Sequence, residues 1–199
     1  WEAENIPAIL NAWEPGMYGG EAVAEIIFGK VNPSAKLPIT IPRNSGQIQI
    51  YYNQKPTHYV NYVFAYPKTP LYPFGFGLSY SKYEYSNMTL SKSEVSESTS
   101  ITATVRIKNT GLYDGEEIVQ LYIRDKYSSI TRPVKELRDF ARVALKSGEE
   151  RVVSFEILPR MLEFLDKDFK MVIEPGEFEV MIGASSEDSK LLKATFNYK

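Results

Sequence analysis

The chain has 199 residues and a formal net charge of −2, with 43% hydrophobic and 24% charged residues. This is enough material for one or two globular domains with a real core. The balanced charge excludes a global field that would recruit nucleic acid or an anionic membrane, and no apolar run approaches the roughly 18 residues of a membrane span. Zero cysteines exclude disulfides and thiol chemistry, an absence shared by many secreted and intracellular proteins.

Trp1-Glu2-Ala3-Glu4-Asn5 has no initiator Met, basic n-region or apolar h-region. It reads as a piece of a longer sequence, with the true N-terminus and any export signal lying earlier. Ala8 to Trp13 is a short, nearly continuous apolar run that fits a buried parallel strand. Glu14 to Gly20, with three glycines and a proline, predicts a loop. Glu21 to Phe28 follows as a helix, with Ala22, Val23, Ile26 and Ile27 on one face and Gly29 as its C′ residue. Leu37 to Ile41 returns as a strand, with Pro38 arguing for an edge or a strand start.

Strand, loop, helix, strand is an α/β order, and ligands of open α/β sheets sit beyond the carboxyl ends of the strands. Trp13, Glu14, Met17 and Tyr18 are therefore candidate pocket residues, with the Trp face suited to sugar C–H groups. A tight turn with a core Trp is the competing reading. The loop lacks the glycine spacing and Lys-Ser/Thr pair of phosphate-binding motifs.

Residues 42–72 are irregular and rich in Tyr, at 51, 52, 59, 62, 66 and 72. Gln47 to Ile50 alternates like a strand and Tyr51 to Pro56 like a turn. Aromatics with Asn and Gln suit hydroxyl-rich ligands, but equally plain packing. His58, the single histidine, has no Asp, Ser or Cys constellation around it and reads as a surface or packing residue.

Leu71-Tyr72-Pro73-Phe74-Gly75-Phe76-Gly77-Leu78-Ser79-Tyr80 packs aromatics, two glycines and a proline together without a charge. It reads as a buried joint between two differently patterned halves, the alternative being a single buried strand with glycine bulges. Beyond it the period changes to two. Strands are predicted at Tyr83–Ser91, Ser100–Lys108, Glu117–Arg124, Lys135–Leu145, Arg151–Ile157, Phe169–Ile173, Glu177–Gly183 and Leu191–Tyr198, separated by Asn-Thr-Gly, Asp-Gly, Ser-Gly and Pro-Gly turns. This is the pattern of an immunoglobulin-like β-sandwich, here preceded by the tail of an α/β unit, so the fold class is mainly β. The expected division is 1–72, a junction at 73–82, and the sandwich at 83–199.

Chemistry in the sandwich is thin. Glu163, Asp166 and Asp168 read as a solvated turn rather than a metal site. Arg132 to Glu136 mixes charges at an edge, where Pro and Lys discourage strand addition. Asn87-Met88-Thr89 fits a glycosylation sequon. No nucleophile–base pair and no metal-ligand spacing is visible, and no cofactor is implied.

Motifs along nearly the whole chain resemble family 3 glycoside hydrolases. Ala12-Trp13-Glu14-Pro15-Gly16-Met17-Tyr18-Gly19-Gly20-Glu21-Ala22 is similar to the family's AWYPGQxGGxA loop, and Phe28 to Pro38 to its LFGxxNPSGKLP, with Ala35 in place of the usual Gly. Pro70 to Tyr80 resembles the junction with its fibronectin type III-like domain. Asn109-Thr110-Gly111 with Asp114-Gly115 and Val119 to Tyr122, Thr131 to Leu137, and Pro175 to Phe178 resemble its NTGxxxGxEVVQLY, RPxKEL and PGxF. The resemblance implies a parent that hydrolyses terminal β-linked glucose or xylose with retention. That chemistry requires two carboxyl groups about 5–5.5 Å apart. In the family the nucleophile Asp lies in an N-terminal barrel and the acid/base Glu upstream of the AWxPG loop; no acidic residue here matches either, so no catalytic residue is assigned. Glu14 stands where the family often has Tyr. The chain alone is expected to be inactive, shaping the cleft and bracing the catalytic domains. Its expected partners are an oligosaccharide or aryl β-glycoside and the preceding barrel and α/β portions, with homo-oligomerisation open. A stand-alone carbohydrate-binding or protein-interaction sandwich is the alternative.

Overall fold

The computed structural model describes residues 1–56, 69–96 and 99–199. Among these residues ten strands follow two short helices. The helices are α1 (Glu2–Asn5) and α2 (Gly19–Ile27). The strands are β1 (Tyr83–Leu90), β2 (Glu94–Val95), β3 (Ile101–Asn109), β4 (Gly115–Asp125), β5 (Glu136–Leu145), β6 (Glu150–Ile157), β7 (Phe164–Leu165), β8 (Met171–Val172), β9 (Gly176–Gly183) and β10 (Leu192–Tyr198).

The strands form a sandwich of a three-stranded sheet, β1-β3-β6, and a five-stranded sheet, β2-β10-β9-β4-β5, with β7 and β8 as a separate hairpin. All pairings are antiparallel except β2 with β10. The alternation of β3 fixes which way it faces. Ile101, Ala103, Val105 and Ile107 are buried, opposite Val153, Phe155 and Ile157 of β6 in one sheet and Val119, Leu121, Phe178, Val180 and Ile182 of the other. The Phe178 and Phe196 rings stack at 5.4 Å within this core.

β4 departs from simple alternation because both its faces are covered. Val119, Leu121 and Ile123 point into the sandwich, while Tyr122 joins Met181 and Leu191 in a second cluster on the outer face. Tyr52 and Phe74 cover that cluster: their rings stack at 4.1 Å, and Tyr52 meets Tyr122 edge-on at 5.8 Å. The outer face of the five-stranded sheet is thus the seat of the preceding segment.

The N-terminal portion is less regular than its sequence suggests. α2 forms as expected, with Glu21 in its first turn. Gly29 at φ 73° ends it: Gly29 N–H donates to the Ile26 carbonyl and Lys30 N–H to that of Glu25, the paired bonds of a Schellman cap. Ala8–Trp13, expected as a strand, is irregular and unpaired, because no neighbouring strand lies beside it among the described residues. Leu37–Ile41 is likewise no strand. It makes one antiparallel bridge, Ile41 to Tyr72, with Leu37 bonded on both sides to the junction (Leu37 N–H to Phe76 O, Gly75 N–H to Leu37 O, both 2.8 Å). Of the strand-like Gln47–Ile50, Gln47 closes a 3-10 turn at Ser45–Gln47, capped by Asn44, and residues 48–50 form no strand.

Two further expectations are corrected. The junction is buried only in part: Gly75 is enclosed, but Leu78 is 75% exposed. Arg132 and Lys135 are not outward-facing edge guards, although β5 is an edge strand. Arg132 lies over the Phe164 ring at 4.4 Å and donates to Glu136 at 2.9 Å, beside Asp125. Lys135 is buried, donating to the Ser186 carbonyl and pairing with Asp188 at 2.8 Å.

Candidate functional site

Trp13, Glu14, Met17 and Tyr18 lie on the single loop that leads into α2. Trp13 adopts φ 49° and Gly16 φ 66°, with the Asn11 side-chain oxygen accepting from the Trp13 N–H at 3.3 Å. Pro15 packs so closely on Gly19 that a Cβ there would overlap its ring. Gly19 N–H bonds back to the Gly16 carbonyl, and Ala22 N–H to that of Tyr18, starting the helix. The loop is tight and its four candidate side chains all face outwards: Trp13 is 59% exposed and Met17 94%, with Glu14 and Tyr18 also exposed. Among the described residues nothing encloses them. Ile6, Ile9, Leu10, Ile27 and Phe28 are exposed on the same N-terminal portion.

The Tyr-rich stretch divides. Tyr52 is spent in the joint and Tyr72 stacks on Phe76 at 5.1 Å, so both pack rather than bind. Tyr51 is exposed. His58, Tyr59, Tyr62 and Tyr66 lie outside the described residues.

Several carboxylates of the sandwich are engaged internally. Asp125 and Glu136 flank the Arg132 guanidinium; burial, the largest influence, raises the Asp125 carboxyl above its ordinary range against the opposing pull of Arg132. Asp166 closes the β7–β8 turn by accepting from the Asp168 and Lys170 N–H groups at 2.8 and 2.9 Å. Among the described residues no three metal-ligating side chains converge.

The polar node that sequence reasoning passed over joins the α/β portion to the sandwich. Lys36 Nζ stands 3.2 Å from both oxygens of Glu117 and 3.3 Å from the Gly77 carbonyl, and Tyr85 Oη donates to Glu117 at 2.8 Å. Asn32 donates to the Asp114 carbonyl and accepts from Ser79 Oγ and Tyr80 N–H, all within 2.9 Å. The available signal was the period of two along β4, which sets Glu117 on the same face as Val119, Leu121 and Ile123. Glu117 is no acid/base candidate, because it is 2% exposed and a substrate cannot reach it.

A fibronectin type III-like sandwich carrying the end of an α/β layer, with an outward-facing aromatic loop, defines the class. Residues 117–186 match the fibronectin type III-like domain, and residues 1–80 match the glycosyl hydrolase family 3 C-terminal domain. The chain belongs to glycoside hydrolase family 3, in the C-terminal region of that family. It is 42% identical over 201 residues to a β-xylosidase of Formosa agariphila, covering 99% of this chain and 28% of that protein. The solved β-glucosidase of Erythrobacter marinus superposes with a TM-score of 0.93 at 46% identity, over 100% of this chain and 26% of that one. A β-glucosidase of Listeria innocua, solved in complex with glucose, gives 0.86 at 36% identity, over 94% and 27%. The chain therefore spans about a quarter of the length of the relatives it matches.

Proposed function

We propose that this chain is the non-catalytic C-terminal part of a retaining β-glycosidase that releases terminal β-linked glucose or xylose from oligosaccharides or aryl glycosides. Within it, residues 1–72 complete the α/β domain, 73–82 form the junction and 83–199 the brace. The observation that carries the reading is the loop before α2: a tight turn presenting Trp13, Glu14, Met17 and Tyr18 outwards. An aromatic face of this kind stacks on sugar C–H groups, and in the longer enzyme the loop would line the substrate cleft. The exposed Ile6, Ile9, Leu10, Ile27 and Phe28 would be covered by the preceding α/β and barrel portions, since apolar surface of this extent is stabilised by burial. The glucose-bound neighbour and the β-xylosidase relative support the two candidate sugars. A free-standing carbohydrate-binding module is less well supported, because the exposed aromatics of the sandwich, Tyr113, Tyr127, Phe140 and Phe169, stand on separate elements.

The test is hydrolysis of p-nitrophenyl β-glucoside and β-xyloside by the 199-residue chain and by the longer polypeptide. Turnover is expected in the longer polypeptide only, and its Trp13→Ala variant should lose about tenfold or more in kcat/KM. Turnover by the 199-residue chain, or an unchanged kcat/KM in the variant, would overturn the reading.

A further inference from the structure

A buried charge between two parts of a protein is a poor adhesive. Glu117 retains 2% of its side-chain surface and Lys36 11%, so both have given up most of their hydration. An apolar pair of similar volume would join the segments at least as strongly. Burial, the dominant influence, holds the Glu117 carboxyl above its ordinary range, against the opposing effects of Lys36 and Tyr85. What the ion pair adds is registry. An ammonium held by two carboxylate oxygens and the Gly77 carbonyl has one good position, whereas an apolar contact tolerates sliding.

The pair does not act alone. Four residues earlier, the Asn32 amide is fixed by the Asp114 carbonyl, Ser79 Oγ and Tyr80 N–H. Tyr80 Oη in turn donates to the Ile26 carbonyl at 2.6 Å, at the C-terminal end of α2. These bonds grip the segment from Ile26 to Lys36 on the sandwich and its junction. A nine-residue helix is about 13 Å long and stiff, and at its other end stands the Trp13–Tyr18 loop. The backbone approach at this contact is close enough that a Cβ on Gly77 would overlap the Ala35 carbonyl.

We propose that Glu117 and Lys36 are positioning residues: with Asn32 they set the register of α2 on the sandwich, and through α2 the placement of the Trp13–Tyr18 loop. The proposal rests on the reading of that loop as part of a substrate cleft. It also makes the sandwich a setter of loop geometry rather than a passive prop.

The deciding variant is Lys36→Met with Glu117→Leu, which keeps the volume and removes the registry. In the 199-residue chain its unfolding midpoint should equal or exceed that of the wild type, while amide exchange in Gly19–Ile27 accelerates about tenfold and exchange in β3 and β4 stays unchanged. In the longer enzyme KM should rise about tenfold with kcat changed less than about threefold. Lys36→Arg, which keeps the charge pair, should restore most of the difference. Glu117→Gln, which preserves shape, provides the same exchange comparison should the double variant fail to fold. Unchanged α2 exchange would overturn the proposal, as would unchanged KM in an enzyme that Trp13→Ala impairs. If Trp13→Ala itself has no effect, the cleft reading fails, and α2 exchange alone decides whether the pair sets the register.

Discussion

Phe169 is held in the left-handed region at φ 59° while its ring is 85% exposed. A side chain with a Cβ costs about 1–2 kcal/mol in that region relative to glycine, and here the ring returns little by burial. Asp166 keeps the turn in shape independently, through its bonds to the Asp168 and Lys170 N–H groups and the Asp166 N–H bond to the Lys170 carbonyl. Phe169→Gly should therefore raise stability by about 0.5–1 kcal/mol, the relief of strain exceeding the added freedom of the unfolded chain; a lower urea midpoint would contradict this. At this scale the sequence shows that three acids share a loop. It does not show that Asp166 is a backbone acceptor, because the role depends on the turn's dihedral angles rather than on composition. Arg132 and Lys135 were misread for a related reason: long charged side chains near an edge strand can fold inwards when a ring, a carbonyl or a carboxylate waits there, and those partners are remote in sequence.

Elements were legible where one face is buried and the partner lies within the chain. Strands β3, β6, β9 and β10 follow their period-two pattern to within a residue or two, and α2 ends at the glycine its sequence marks. Ala8–Trp13 shows the limit: an apolar run becomes a strand only beside another strand, and none stands beside it among the described residues. β4 was found but its outer face was not, since Gln120 and Tyr122 look solvent-facing until the junction covers them. Glu117 carries a measurable consequence for this element. Its folded pKa is raised by burial, so its contribution to stability is fully present below the ordinary glutamate range and is lost as pH rises through the raised value. Glu117→Gln cannot ionise. Denaturant unfolding should find the two proteins nearly equal in acid, with the variant gaining on the wild type as pH rises towards 7. A gap that instead widens in the wild type's favour would show that Lys36 and Tyr85 more than offset desolvation.

The whole molecule turns on the joint. Gly75 at φ 78° brings its carbonyl to Gln120 Nε2 at 3.1 Å, while Gln120 also reaches the Ala184 carbonyl and receives the Tyr122 hydroxyl. A Cβ at Gly75 would overlap the Gln120 side chain. Gly75→Ala combines that overlap with a left-handed backbone and should lower stability by about 2 kcal/mol or more, seen as a fall in Tm; an unchanged Tm would mean that Gln120 moves aside freely. That a joint exists was legible from an uncharged run of aromatics and glycines. Which sheet face it covers was not, because Tyr52, Phe74 and Tyr122 come from three distant stretches. The strand order holds one more implication. β10, the last strand in chain order, lies inside the five-stranded sheet, between β2 and β9. As the polypeptide emerges from the ribosome, β9 must wait with an open edge until residue 198 is available. Closure of the sandwich therefore waits for its own final strand, and the nascent chain passes through a window in which an unpaired edge favours aggregation.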